Sequence, residues 1–265
     1  MIPFRGRVTF LQYNPGKSNK YGLKIYKLCA PNAYTWNLQV YSGKSTPLPS
    51  FSHSESVVLK ICDSLLHQGL IVFADNFYTS LLRAEKLLKE QPYYCGTLRK
   101  RRKFIPSSLL NAKLKKGEVV SQQNKNGVMV YNWKDKRNVL TISTIPEHSG
   151  ELVPSGKKKR TGEDIMKPEY FQAYNKAKKG VDMSDQMSSY ATALRWTLKW
   201  YRKIAVELLT GTCIVNAWVL YNKYFSPGKP ISITDFKETI IMSLLTGTQE
   251  ENVKPGPRRS QIEGT

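Results

Sequence analysis

The chain has 265 residues, 40% apolar and 23% charged, enough to bury a core in one elaborated domain or two small ones and too apolar for a disordered or collagenous chain. Its 41 lysines and arginines against 20 acids leave a net charge of +21. Such a surplus costs self-repulsion unless a polyanion uses it, so nucleic acid leads the partner classes, ahead of an unpartnered basic surface and of a membrane.

The N-terminal run Met1-Ile-Pro-Phe-Arg-Gly-Arg has no apolar signal segment, which argues against secretion. Over residues 20–41 two alternating runs, Tyr21-Gly-Leu-Lys-Ile-Tyr-Lys-Leu-Cys and Tyr34-Thr-Trp-Asn-Leu-Gln-Val-Tyr, flank Ala30-Pro-Asn and predict a hairpin of half-buried strands. A Pro/Ser-rich loop over residues 45–54 precedes a helix over residues 55–68, with Ser54 as its cap. Leu70-Ile-Val-Phe-Ala is short and apolar on both faces, which predicts a buried parallel strand ending at Asp75-Asn76. A helix over residues 79–90, stopped by Pro92, and a short strand from Cys95 complete an α/β signature.

From residue 99 to residue 137 twelve basic residues face two acids, Glu118 and Asp135, which reads as an inserted basic module. Its strands, Glu118-Val-Val-Ser and Val128-Met-Val-Tyr-Asn-Trp, flank the turn Asn126-Gly127, and Val139-Leu-Thr-Ile-Ser-Thr continues the β pattern. A loop over residues 146–167 closes the module and carries Lys157-Lys-Lys-Arg160, either a nuclear-import signal or a solvated charge run. Helical patterning resumes at Pro168. The longest apolar stretch, residues 204–221, contains Glu207 and Asn216 and suits a buried helix better than a membrane span. A last helix over residues 231–246 takes Thr234 or Asp235 as its cap, and the tail has the composition of a disordered segment. Cys29, Cys62, Cys95 and Cys213 stand too far apart for a zinc site or a disulfide framework.

Carboxylates are scarce, so their positions carry weight. Asp75 ends a buried strand, where a side chain points either into a strand-end crevice or back into a turn. Asp182 and Asp185, at i and i+3, share a helix face or cap the helix start.

Seven segments then resemble the piggyBac family of DDE transposases and their transposable-element-derived relatives. They are Phe4-Arg-Gly-Arg, Asn19-Lys-Tyr-Gly-Leu-Lys, Leu38-Gln-Val-Tyr-Ser-Gly-Lys, Asp75-Asn-Phe-Tyr-Thr-Ser, Gly96-Thr-Leu-Arg-Lys, Trp133-Lys-Asp-Lys-Arg and Gly180-Val-Asp-Met-Ser-Asp-Gln-Met. The resemblance implies a ribonuclease H-like α/β core over residues 1–101 and 168–190, interrupted by a basic β-rich insertion domain over residues 102–167. It further implies a helical half of a dimerisation and DNA-binding domain over residues 191–248, with a tail over residues 249–265.

In that family three aspartates hold two Mg²⁺ ions; Asp75 matches the second, Asp182 the third and Asp185 a further aspartate of the motif. The ions would activate the attacking oxygen and stabilise the leaving one, and oxygen ligands alone suit them. The family's first aspartate lies in an Asp-Glu pair before the stretch matching the chain's start, on a strand central to the sheet, and no acid precedes Glu55 here. The core is therefore expected to be incomplete, with its first strand missing and Asp75 and Asp182 vestigial.

DNA binding needs charge and not metal. Arg99, Lys100, Arg101, Arg102 and Lys103 form one candidate surface, with Lys113, Lys115 and Lys116 beside it. Arg195, Lys199, Trp200, Arg202 and Lys203 form another, with Trp196, Trp200 and Tyr201 either stacking on bases or packing in a helical bundle.

Three readings follow. The leading one is a transposase-derived, nuclear, non-cutting chain that binds double-stranded DNA at a TTAA-type target, as a monomer or homodimer. The others are a fragment of an active transposase whose first catalytic aspartate lies upstream of Met1, and a non-catalytic protein-interaction module.

Overall fold

A computed structural model describes residues 1–17, 19–43, 53–190, 192 and 197–246. Strands β1 (Ile2–Pro3), β2 (Gln12–Tyr13) and β3 (Tyr21–Leu23) form a small antiparallel sheet in the order β1-β3-β2. The expected hairpin follows as β4 (Ile25–Cys29) and β5 (Thr35–Val40), with Ile25 opposite Val40. Alternation sends Tyr26 inward, where it packs with Val57 and Ile61 of helix α1 (His53–Cys62). That helix starts earlier than expected. Ser54 is therefore a first-turn residue and not the cap, and its Oγ accepts from Arg83 Nη2 at 3.1 Å.

Strand β6 (Ile71–Ala74), helix α2 (Leu81–Lys89) and strand β7 (Tyr93–Leu98) form a βαβ unit, β6 running parallel to β7 as expected. Helix α2 is amphipathic, with Leu81, Ala84 and Leu87 buried, and Ser80 caps it by accepting from Arg83 N–H. The expectation that β6 is buried on both faces does not hold. Among the described residues β6 is the outer strand of its sheet, and Ile71 is 46% exposed.

After α3 (Ser107–Asn111) come β8 (Val119–Gln123), β9 (Met129–Lys134) and β10 (Asn138–Ser143), close to the ranges read from alternation. These strands do not make a sheet of their own. Strand β10 lies antiparallel to β7, giving one five-stranded sheet in the order β6-β7-β10-β9-β8. Where a loop was expected, β11 (Leu152–Lys158) and β12 (Asp164–Pro168) form a separate hairpin, closed by a turn with Gly162 at φ 86°. Its strands are mostly exposed and lysine-bearing, so hydropathy carries no signal for them.

Helices α4 (Glu169–Ala177) and α5 (Lys179–Ser189) follow. A long helix then runs from α6 (Trp200–Val206) through a π-helical turn, Glu207–Thr212, into α7 (Cys213–Tyr224). By length and composition this helix is apolar enough to cross a membrane. It is not buried throughout as expected, Leu209 being 67% exposed, but Asn216 ties it to the fold: it accepts from Thr35 N–H at 2.7 Å and donates to Thr35 C=O at 2.8 Å, clasping β5. The final helix α8 (Ile233–Thr246) is capped by Ser232, whose Oγ accepts from Asp235 N–H at 3.1 Å, and not by Thr234 or Asp235. The expected disordered tail lies outside the described residues.

The five-stranded sheet is covered on both faces. On one, α1, α2 and α3 bury Val58, Leu87 and Leu109 against Tyr94, Leu98, Leu140 and Ile142. On the other, α4 lays Tyr170 on Tyr131 with ring centroids 4.0 Å apart and Phe171 on Trp133 at 5.0 Å. A separate core joins the N-terminal sheet to α6 through Ile2, Phe4, Phe10, Leu23 and Ile204.

Candidate active site

Asp75 leaves the carboxyl end of β6, the edge at which parallel sheets place ligands. Three hydrogen bonds hold its turn. Asp75 Oδ1 accepts from Phe77 N–H at 3.0 Å, Asp75 C=O accepts from Tyr78 N–H at 3.2 Å, and the same carbonyl accepts from Thr79 Oγ1 at 2.7 Å. Thr79 Oγ1 also lies 2.9 Å from the fully buried Tyr94 hydroxyl. Gly96 of β7 completes the seat: a Cβ there would stand 2.4 Å from Thr79 Oγ1 and 2.7 Å from the Ala74 carbonyl oxygen.

Asp182 lies in the first turn of α5. Burial pushes the phenol of the buried Tyr174 up, a hydrogen bond with Thr97 works against that, and Asp75, Cys95 and Asp182 push it further up. Lys24 stands over the rings of Phe77 and Tyr26, 4.4 and 4.6 Å from their centroids. Burial pulls its ammonium down and Asp75 holds it up.

Asp185 looks elsewhere. Its Oδ1 accepts from Lys27 Nζ at 2.9 Å, and the lysine side chain is only 5% exposed. A protein cation thus neutralises the carboxylate that the resemblance offers as an additional metal ligand. Among the described residues no three His, Cys, Asp or Glu side chains converge on one point. Asp75 and Asp182 suit a hard cation by donor type, but a pair of carboxylates falls short of a two-metal set.

The basic loop after β7 is attached to this site. Arg99 Nε donates to Asn76 Oδ1 at 2.9 Å, while Arg102 Nη2 donates to the carbonyls of Asn76 and Phe77 at 3.1 and 2.8 Å. Lys100, Arg101 and Lys103 are exposed between and beside these anchors. On the long helix Lys199 and Arg202 are also exposed, whereas Lys203 is half-buried, its ammonium pulled down by burial and held up by Glu207. Trp200 meets Phe10 edge-on at 5.1 Å and Tyr201 at 6.0 Å, a packing contact that seats α6 on the N-terminal sheet and leaves the indole 36% exposed. Arg195 and Trp196 lie outside the described residues.

Reading the residues one by one missed Lys24, Thr79, Gly96 and Tyr174. The first three sit inside segments that carry the family resemblance, and three such segments, beginning at Asn19, Asp75 and Gly96, meet around the Asp75 turn. Tyr174 had no signal beyond helical patterning.

The family model described as Transposase IS4 matches residues 1–218. The human (Homo sapiens) "PiggyBac transposable element-derived protein 3" is 27% identical over 276 residues, which cover 97% of this chain and 44% of that protein. The human "Chimeric ERCC6-PGBD3 protein" matches at 27% identity over 97% of this chain and 25% of its own length. The chain therefore spans less than half the length of these curated relatives. A cryo-EM structure of the piggyBac transposase synaptic complex with hairpin DNA superimposes with a TM-score of 0.79 at 28% identity, covering 91% of this chain and 50% of that one. This is a mixed α/β chain of transposase descent, and it belongs to the piggyBac family of the Transposase IS4 group.

Proposed function

We propose that this chain binds double-stranded DNA and does not cut it. The observation that carries the reading is the joining of the arginine-rich loop to the Asp75 turn: Arg99 and Arg102 tie a strongly cationic segment to that strand end, and among the described residues no three His, Cys, Asp or Glu side chains converge on one point. Transposases of the DDE type generally use Mg²⁺, and phosphate binding by Arg and Lys needs none. The solved relative's complex with hairpin DNA supports the choice of polyanion.

In this reading residues 1–101 and 168–190 are a ribonuclease H-like core, 102–167 an insertion that extends the core's own sheet through the β7–β10 pairing, and 191–248 a helical DNA-binding and dimerising element. A TTAA-type target, a homodimer and a nuclear location, served by the exposed run Lys157-Lys-Lys-Arg160, belong to the same proposal.

The test incubates the chain with a labelled duplex and Mg²⁺. Retention of the duplex without nicking is the expected result, and nicking that disappears in Asp75→Ala would overturn the reading. An active enzyme, completed by a further carboxylate-bearing strand, is the second reading. The outer edge of β6, where no strand pairs among the described residues, favours it. Cleavage by a version carrying additional upstream residues would establish it.

A further inference from the structure

Among the described residues four non-glycine positions hold a positive φ, and Phe104, at 68°, is the one with a large hydrophobic side chain. Such a backbone is a true outlier for a bulky residue, and strain of this kind concentrates at binding sites. The phenyl ring gains no burial in return, because Phe104 is 65% exposed.

Its flanks are not loose. On one side Arg102 N–H donates to Arg99 C=O at 3.0 Å, and both side chains are fastened to the Asn76–Phe77 backbone and Asn76 amide. On the other side Ile105 packs on the main core, and the buried Leu109 of α3 receives a hydrogen bond on its carbonyl from Asn132 at 2.7 Å. The fold thus pins the loop at both ends and holds an aromatic ring out in water between them. Two residues of chain, at most about 7 Å, separate Phe104 from the arginine that touches the Asp75 turn. Exposed cations surround it in sequence: Lys100, Arg101 and Lys103 precede it.

A flat apolar ring set among cations matches a nucleobase joined to its phosphates. Every base offers a π-face, so stacking needs no sequence, whereas bases within a duplex are already stacked on each other. We infer that Phe104 is a base-stacking residue that engages an unpaired base of DNA lying along the edge formed by the Asp75 turn and Arg102. This rests on the DNA-binding reading and adds to it a preference for unpaired ends, overhangs or hairpin tips.

The test measures affinity of the full chain, at low salt, for a blunt duplex and for the same duplex with an unpaired 2-aminopurine overhang. The wild type is expected to prefer the overhang and to quench its fluorescence. Phe104→Ala and Phe104→Gly should lose about tenfold in affinity for the overhang and the quenching, with blunt-duplex binding unchanged, and Phe104→Trp should retain both. Because glycine accepts the positive φ without strain, Phe104→Gly should melt at or above the wild-type temperature, which separates a binding role from a structural one. Equal overhang affinity in wild type and Phe104→Gly, or an equal loss on blunt duplex, would overturn the stacking assignment and leave the DNA reading standing. No salt-dependent binding of either DNA by the wild type would remove both.

Discussion

At the scale of single residues the Asp75 turn depends most on an atom that is missing. Gly96 lies on β7 directly under the turn, and any Cβ there collides with Thr79 Oγ1 and the Ala74 carbonyl, neither of which is the loose end of a flexible chain. Gly96→Ala must therefore push β6 from β7 or eject the Thr79 hydroxyl from its bonds to Asp75 C=O and Tyr94 Oη. Overpacking of this kind costs roughly 1–3 kcal/mol. A melting temperature lower by several degrees is expected, with faster exchange of the Phe77 and Tyr78 amides; an unchanged melting curve would show that the turn does not rest on that glycine. Sequence reasoning found Asp75 because a lone carboxylate after an apolar run is conspicuous. It passed over Gly96, because an alternation pattern does not show which strand glycine has another backbone's oxygen above it.

At the scale of elements, periodicity located the βαβ unit and the β4–β5 hairpin because their apolar faces are clean. It failed for the β11–β12 hairpin, which has little apolar face, and it could not show that β10 pairs with β7, since lateral pairing leaves no mark on either strand's own pattern. The long helix holds another illegible feature, its π-helical turn at Glu207–Thr212. There Gly211 leaves room for the Glu207 carboxylate, which would lie 3.0 Å from a Cβ at that position. Burial raises the Glu207 carboxyl above its ordinary 4.5, while Lys27 and Lys237 lower it and Asp185 adds to the rise. The folded state then binds this proton more tightly than the unfolded chain does. Its contribution to stability is present in full below about pH 4.5 and is lost as pH rises through the folded-state value. Glu207→Gln should cancel that loss, so a urea-midpoint profile from pH 4 to pH 8 should fall less steeply than the wild type's. Superimposable profiles would mean that Glu207 is solvated in the folded protein.

At the scale of the whole molecule the net charge of +21 was legible at once, and the structure shows where part of it stands. Among the described residues Lys27 meets Asp185 and Lys159 meets Glu163, whereas Lys100, Arg101, Lys103, Lys199 and Arg202 stand exposed. What the sequence could not show is division of labour within one cationic run. Arg99 and Arg102 spend hydrogen bonds on the Asp75 turn, whereas their neighbours face solvent. The two groups should therefore respond differently to substitution. Replacing Lys100, Arg101 and Lys103 with glutamine removes only charges available to phosphates, so the slope of log affinity against log salt should shallow by roughly one for each phosphate no longer neutralised, with the melting temperature unchanged. Arg102→Gln should also lower the melting temperature, because it leaves two backbone carbonyls of the Asp75 turn without their donor. If six to ten phosphates are engaged in all, binding to a short duplex weakens by about 10³ to 10⁵ between 50 and 200 mM salt. A flat salt response would mean that the charge serves no polyanion, and the protein-interaction reading would then take the place of the DNA-binding one.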